Sequence, residues 1–171
     1  QGAFTPKTGA VSLLYPAGNL SAERLLLMGV GKRKGFSLGR LRQAAGAAAP
    51  YLRTAGAHDI VFTGVGNDLD PEEAAQAVVE ASMLGLYRYL QYKTNEENER
   101  GKEISGITVL AEKDAILRPM RKGAKTGEVI ARSVVMGRDM VNAPARDMTP
   151  VIPPPCPKLH KPRREEPACT G

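Results

Sequence analysis

Ile60-Val61-Phe62-Thr63, closed by Gly64-Val65-Gly66 and followed by Asp70-Pro71-Glu72-Glu73, is the stretch on which the fold turns. Four β-branched or aromatic residues ending in a glycine turn read as a strand. The next segment opens as a helix does. Asp70 can accept from the free amides of the first turn, Pro71 suits the first helical position, and Glu73 stands three residues after the cap. Ala74, Ala77, Val78, Ala81, Leu84 and Tyr87 then recur at helical spacing, which carries the helix to about Tyr89 or Leu90. A strand feeding a helix in this way is the repeating unit of layered α/β domains.

The same alternation extends in both directions. Upstream, Val11-Ser12-Leu13-Leu14-Tyr15 ends in the turn cluster Pro16-Ala17-Gly18-Asn19, and Arg24-Leu25-Leu26-Leu27-Met28 follows. The second run does not alternate, so it reads as buried on both faces. The short connection predicts antiparallel pairing with the first. A helix begins at the N-cap Ser37 and sets Leu38, Leu41, Ala44, Ala45, Ala48 and Leu52 on one stripe. Gly56 is its expected terminator, and Pro50 predicts a kink or a detached last turn. Downstream, the polar stretch from Lys93 to Glu103 reads as a solvated connection and Ile107-Thr108-Val109-Leu110 as a fourth strand. A last helix is expected from about Thr126, with Val129, Ile130, Val134, Met136 and Met140 as its apolar positions. Asn142-Ala143-Pro144 reads as its stop, Asn142 tolerating the left-handed region and Pro144 preventing continuation. The order β, β, α, β, α, β, α predicts an α/β sandwich of three layers, with a mixed, largely parallel sheet and flanking helices.

Composition sets the limits. The chain has 171 residues, 42% hydrophobic and 25% charged, which suits one globular domain with a real core. With aromatics at 5% and no tryptophan, that core must be built from Ala, Leu, Val, Ile and Met. No apolar run approaches the ~20 residues that span a bilayer, and no basic-then-apolar start suggests a signal peptide. The opening Gln1-Gly2-Ala3 has no methionine, which suggests a start internal to a longer protein. Both cysteines, Cys156 and Cys169, fall in the proline-rich stretch 151–171, for which an extended or disordered tail is expected. A body free of cysteine fits a reducing compartment, so a cytoplasmic location is expected. The net charge of +6 permits a phosphate-rich partner. The cations are scattered, however, and lack interleaved aromatics, so solvated surface is the favoured reading and a nucleic-acid-binding module the alternative.

Candidate chemistry is sparse. Gly29-Val30-Gly31-Lys32 lacks the spacing of a phosphate-binding P-loop, and no Ser or Thr follows Lys32. Gly64-Val65-Gly66-Asn67 lacks the rest of a dinucleotide fingerprint. Both loops fall after strands, where α/β sheets bind ligands, so ADP-ribose or another phosphate compound is a second alternative. Cys156, His160 and Cys169 match no closed four-ligand metal site. His58 and His160 are the only histidines, and no His-Glu-x-x-His occurs. No catalytic residue, cofactor-binding residue or metal ligand is assigned.

Three stretches together resemble the amino-terminal part of leucyl (cytosol) aminopeptidases. They are Glu23 to Lys32 with Phe36-Ser37-Leu38, then Gly85 to Thr94, and, most specific, Gly137-Arg138-Asp139-Met140-Val141-Asn142-Ala143-Pro144-Ala145-Arg146-Asp147-Met148-Thr149-Pro150. The resemblance covers about Pro6 to Pro150. It implies a macro-like domain over residues 1–136, a linker over 137–150 to a catalytic metallopeptidase domain absent from this chain, and a tail over 151–171. It further implies a non-catalytic, structural role: packing on the catalytic domain through the Val134 to Met140 helix and helping to build a homo-hexamer. Arg138, Asp139 and Asp147 would orient the helix end and the interdomain joint. In the family, two divalent metals, zinc or manganese, activate water for hydrolysis. Their ligands lie largely in an Asn-Thr-Asp-Ala-Glu-Gly-Arg motif that this sequence does not contain, so the chain alone is expected to be inactive.

Overall fold

Asp70 does cap a helix: its carboxylate accepts from the Glu73 amide at 2.9 Å, with Pro71 at the first turn. The computed structural model describes residues 7, 9–16, 18, 22–65, 68–90 and 103–144. In chain order it holds β1 (Val11–Leu14), β2 (Leu25–Met28), a 3-10 turn (Arg33–Gly35), α1 (Leu38–Thr54), β3 (Asp59–Phe62), α2 (Pro71–Leu86), β4 (Gly106–Val109) and α3 (Asp114–Asn142). The class is mixed α/β, as expected. Gly66, Asn67, the connection 93–102, the linker from Ala145 and the tail 151–171 with Cys156, His160 and Cys169 lie outside the described residues.

Among the described residues the strands form two pairs. β1 and β2 run antiparallel with Val11 opposite Met28, and β3 and β4 run parallel with Ile60 opposite Ile107. The expectation that β2 is buried on both faces does not hold, since Leu25 is 37% exposed and the rest of the strand is half-buried. One face of β2 meets α1, and among the described residues β1 is its only strand neighbour.

The three helices pack as a stack with α2 in the middle, against α1 on one flank and α3 on the other. Ala74, Ala75, Ala77, Val78, Val79 and Ser82 are all buried. Burial spread around a helix in this way marks one enclosed by protein. Its neighbours meet it with equally small residues: Ala45, Ala48 and Ala49 from α1, and Gly123, Gly127 and Ala131 from α3. Val65 and Met120 complete the core. Removing the cap with Asp70→Ala is expected to cost about 1 kcal/mol, read as a lower urea midpoint; an unchanged midpoint would show that the cap contributes nothing.

Helix ends and prolines account for the remaining differences from expectation. Ser37 caps α1 by accepting from the Arg40 amide at 3.5 Å. Gly56, at φ +81°, closes it: its amide bonds Arg53 O at 2.9 Å and the Ala57 amide bonds Leu52 O at 3.0 Å. Pro50 does not detach the last turn, because α1 runs through it to Thr54. The one ladder bond it removes would have ended on the Gly46 carbonyl, and Gly85 of α2 packs against that oxygen. α3 starts at Asp114, twelve residues before the expected Thr126. Pro119 and its basic neighbours disguised the first three turns, yet the proline withdraws a single bond from a 29-residue helix. α2 stops at Leu86, short of Tyr89, with Tyr87 already extended at φ −57°, ψ 131°. Finally, Asn142 is not left-handed: among the described residues only glycines have positive φ. The helix ends because Ala143, at ψ 135°, precedes Pro144.

Candidate functional site

The carbonyls that end a helix need donors, and α2 has no basic residue of its own in its last turn. Its neighbours supply them. Arg53 of α1 donates to Leu86 O at 3.0 Å, and Arg138 of α3 donates to Leu84 O at 3.1 Å. Cations at this end also oppose the negative pole of the helix. The Arg138 guanidinium lies 5.4 Å from the centroid of the Tyr87 ring, within cation–π range. Tyr87 OH donates to Asp139 Oδ1 at 2.8 Å, and Asn142 Nδ2 donates to the same hydroxyl at 3.1 Å.

Arg138, Asp139 and Asn142 therefore grip one tyrosine, so the last turn of α3 is fastened to the end of α2. Arg138 and Asp139 both make contacts at this helix end, whereas Asp147 lies outside the described residues. The sequence reading missed the anchor: Tyr87 counted there as an apolar helix position and as part of the Gly85 to Thr94 resemblance, with no link to Asp139. Burial is the main cause holding its phenol above the usual range. The Asp139 hydrogen bond and charge add to that, and the Asn142 hydrogen bond opposes it.

Past Ala131, α3 keeps solvent-exposed apolar side chains: Val134 and Met136 are each 38% exposed and Val141 86%, with Val129 just before them at 64%. At helical spacing they fall in two pairs, Val134 with Val141 on one face and Val129 with Met136 on another.

The two glycine loops turn the backbone after β2 and β3. Gly31 has φ +82° and Gly64 φ +72°, so both supply backbone turns, while Val65 is buried in the core. Arg33, just after the first loop, bonds Asp68, just after the second, through Nε at 3.1 Å and through Nη2. That bond and the carboxylate's charge raise the Arg33 pKa. The Arg33 guanidinium between the loops thus already faces an anion. His58 uses its backbone, its carbonyl accepting from the Ser105 amide at 2.7 Å. Among the described residues, no three His, Cys, Asp or Glu side chains gather as a metal site. Among the same residues, no helix is long and apolar enough to cross a membrane.

A model of the "Cytosol aminopeptidase family, N-terminal domain" matches residues 1–96. A probable cytosol aminopeptidase of Roseiflexus castenholzii is 37% identical over 150 residues, which are 87% of this chain and 30% of that protein. One of Geobacter sp. strain M21 is 38% identical over 149 residues, covering 86% and 29%. Among solved structures, the bottromycin maturation enzyme BotP superposes with TM-score 0.70 at 25% identity, covering 86% of this chain and 30% of that one. A mutant of tomato leucine aminopeptidase, at 21% identity and TM-score 0.66, shares the fold. The chain spans about 30% of the length of the curated relatives it matches. With a family model matching more than half of its residues and a 37% identical relative matching 87% of them, this chain belongs to the cytosol aminopeptidase family and corresponds to its N-terminal domain.

Proposed function

We propose that this chain is the non-catalytic, macro-like N-terminal domain of a metal-dependent leucyl aminopeptidase that acts in the cytoplasm. Residues 1–136 form the domain and 137–150 the passage to the catalytic domain, with α3 carrying the first turns of that passage. The part it plays is to pack on the catalytic domain and help hold a homo-hexamer. The observation that carries the reading is the end of α3, where a helix pinned through Tyr87 to Arg138, Asp139 and Asn142 leads into the linker and still exposes Val134, Met136 and Val141. Pinning fixes the exit direction, and the exposed Val134 and Val141, two turns apart on one face, give the next domain something to bury. The two metals, zinc or manganese, belong to that next domain; one matching solved enzyme is BotP in complex with Mn. This chain's part is positional, and it neither binds the metals nor moves a proton.

The test is aminopeptidase assay on leucine p-nitroanilide with added Mn or Zn, using protein of verified 18.3 kDa mass. No turnover is expected. Metal-dependent turnover from these 171 residues would overturn the assignment.

A further inference from the structure

A cleft of about 570 Å³ opens between the second half of α2, the start of β4 and the middle of α3. The site at the end of α3 does not use it, apart from the Tyr87 ring on its border. Val79, Met83 and Leu86 form one wall, and Ile104 and Ile107 form the other. The first wall runs two turns of helix, about 10 Å, and Met83 contributes a flexible thioether that adapts to irregular apolar shapes. Arg121 and Lys125 stand on the third side, one turn apart and exposed. Glu128, also in the lining, is taken up by Arg132 at 2.6 Å. Lys122, their neighbour on α3, is paired with Glu72 at 2.8 Å. Among the described residues, Arg121 and Lys125 meet no carboxylate. The cleft is therefore apolar along its length and carries unbalanced positive charge at one side.

We propose that this cleft binds a linear amphipathic carboxylate, its chain along Val79, Met83, Leu86, Ile104 and Ile107 and its head between Arg121 and Lys125. Charge complementarity selects the head, and the length of apolar wall selects an unbranched chain of medium size. A bare anion would leave the walls wet, and a neutral chain would leave the cations unanswered. Both groups are needed for affinity.

The experiment titrates octanoate into the isotope-labelled chain and follows backbone amide shifts, with octanol and inorganic phosphate in parallel. Saturable shifts centred on 104–107, 79–86 and 121–125 are expected for octanoate, with weaker binding of octanol and phosphate. Arg121→Glu combined with Lys125→Glu should weaken octanoate about tenfold, since two attractive surface charges become repulsive. Arg118→Glu, an exposed cation of the same helix outside the cleft, should leave the affinity within about twofold. Both variants change exposed side chains, and their amide spectra will report whether the fold is kept. Absence of saturable shifts overturns the proposal. So does equal binding of octanol or phosphate, or an Arg118→Glu effect as large as that of the double variant. None of these outcomes bears on aminopeptidase membership.

Discussion

Gly123→Ala is expected to destabilise this domain by about 3 kcal/mol, although it replaces glycine inside a helix. Local propensity points the other way, favouring alanine over glycine by about 1 kcal/mol. The outcome is decided by what a Cβ would meet. At Gly123 it would collide with the Glu72 carbonyl of α2, backbone that cannot rotate aside. At Gly127, one turn on, it would stand 2.6 Å from the Gln76 carbonyl. α2 cannot retreat, because Gly85 on its far flank already touches the Gly46 carbonyl of α1. α3 must therefore move outward, which opens the seam around Met120, only 3% exposed, and lengthens the Lys122–Glu72 pair. Gly137→Ala is the control: it lies in the same helix with nothing within 4 Å, and should gain about 0.5 to 1 kcal/mol. Urea midpoints of the two variants should move in opposite directions. A Gly123→Ala variant as stable as the parent would mean the helices are not this close.

That contrast explains how much of the molecule could be read beforehand. Elements that announce themselves locally were legible: the cap at Asp70 and the stop at Gly56 rest on interactions within a few residues, and the strands around Ile60 and Ile107 show as short β-branched runs bounded by turns. The middle position of α2 was harder to see. Its alanines fit a one-sided stripe equally well, and only the glycines of two other helices show that both flanks are buried. Pro50 and Pro119 misled for a related reason. A proline removes one hydrogen bond, and whether the helix stops there depends on what covers the freed carbonyl. The sheet arrangement likewise depends on pairings that local pattern does not encode. The candidate site was half legible, since Arg138 and Asp139 stood out as part of a motif, while their partner sits some fifty residues earlier at a helix end that the periodicity placed too far downstream.

Tyr87→Ala should release the end of α3, at a cost on the order of 3 kcal/mol. The hydroxyl's bond to the Asp139 carboxylate is worth about 1.5 to 3 kcal/mol as a hydrogen bond to a charged group, and the ring's contact with Arg138 about 0.5 to 1 kcal/mol more. Tyr87→Phe keeps the ring and should cost about 2 kcal/mol, leaving Asp139 and Asn142 without their shared partner. The loss is local first, so amide exchange at 138–142 should speed up about thirtyfold in Tyr87→Phe and about a hundredfold in Tyr87→Ala, while the core of α2 stays protected. pH provides an independent check. The folded phenol titrates above its ordinary value of 10.0, chiefly because burial disfavours the phenolate, with the Asp139 charge adding to the effect. A group whose folded pKa is raised favours the fold in its protonated form. The clasp is therefore intact below about pH 10 and weakens as the pH climbs through the raised value, when a phenolate would face the Asp139 carboxylate. Spectrophotometric titration should show one tyrosine ionising late in the parent and missing from Tyr87→Phe. If exchange at 138–142 is the same in parent and Tyr87→Phe, the hydroxyl does not hold the helix end, and the exit direction of the chain must be set by the packing of α3 alone.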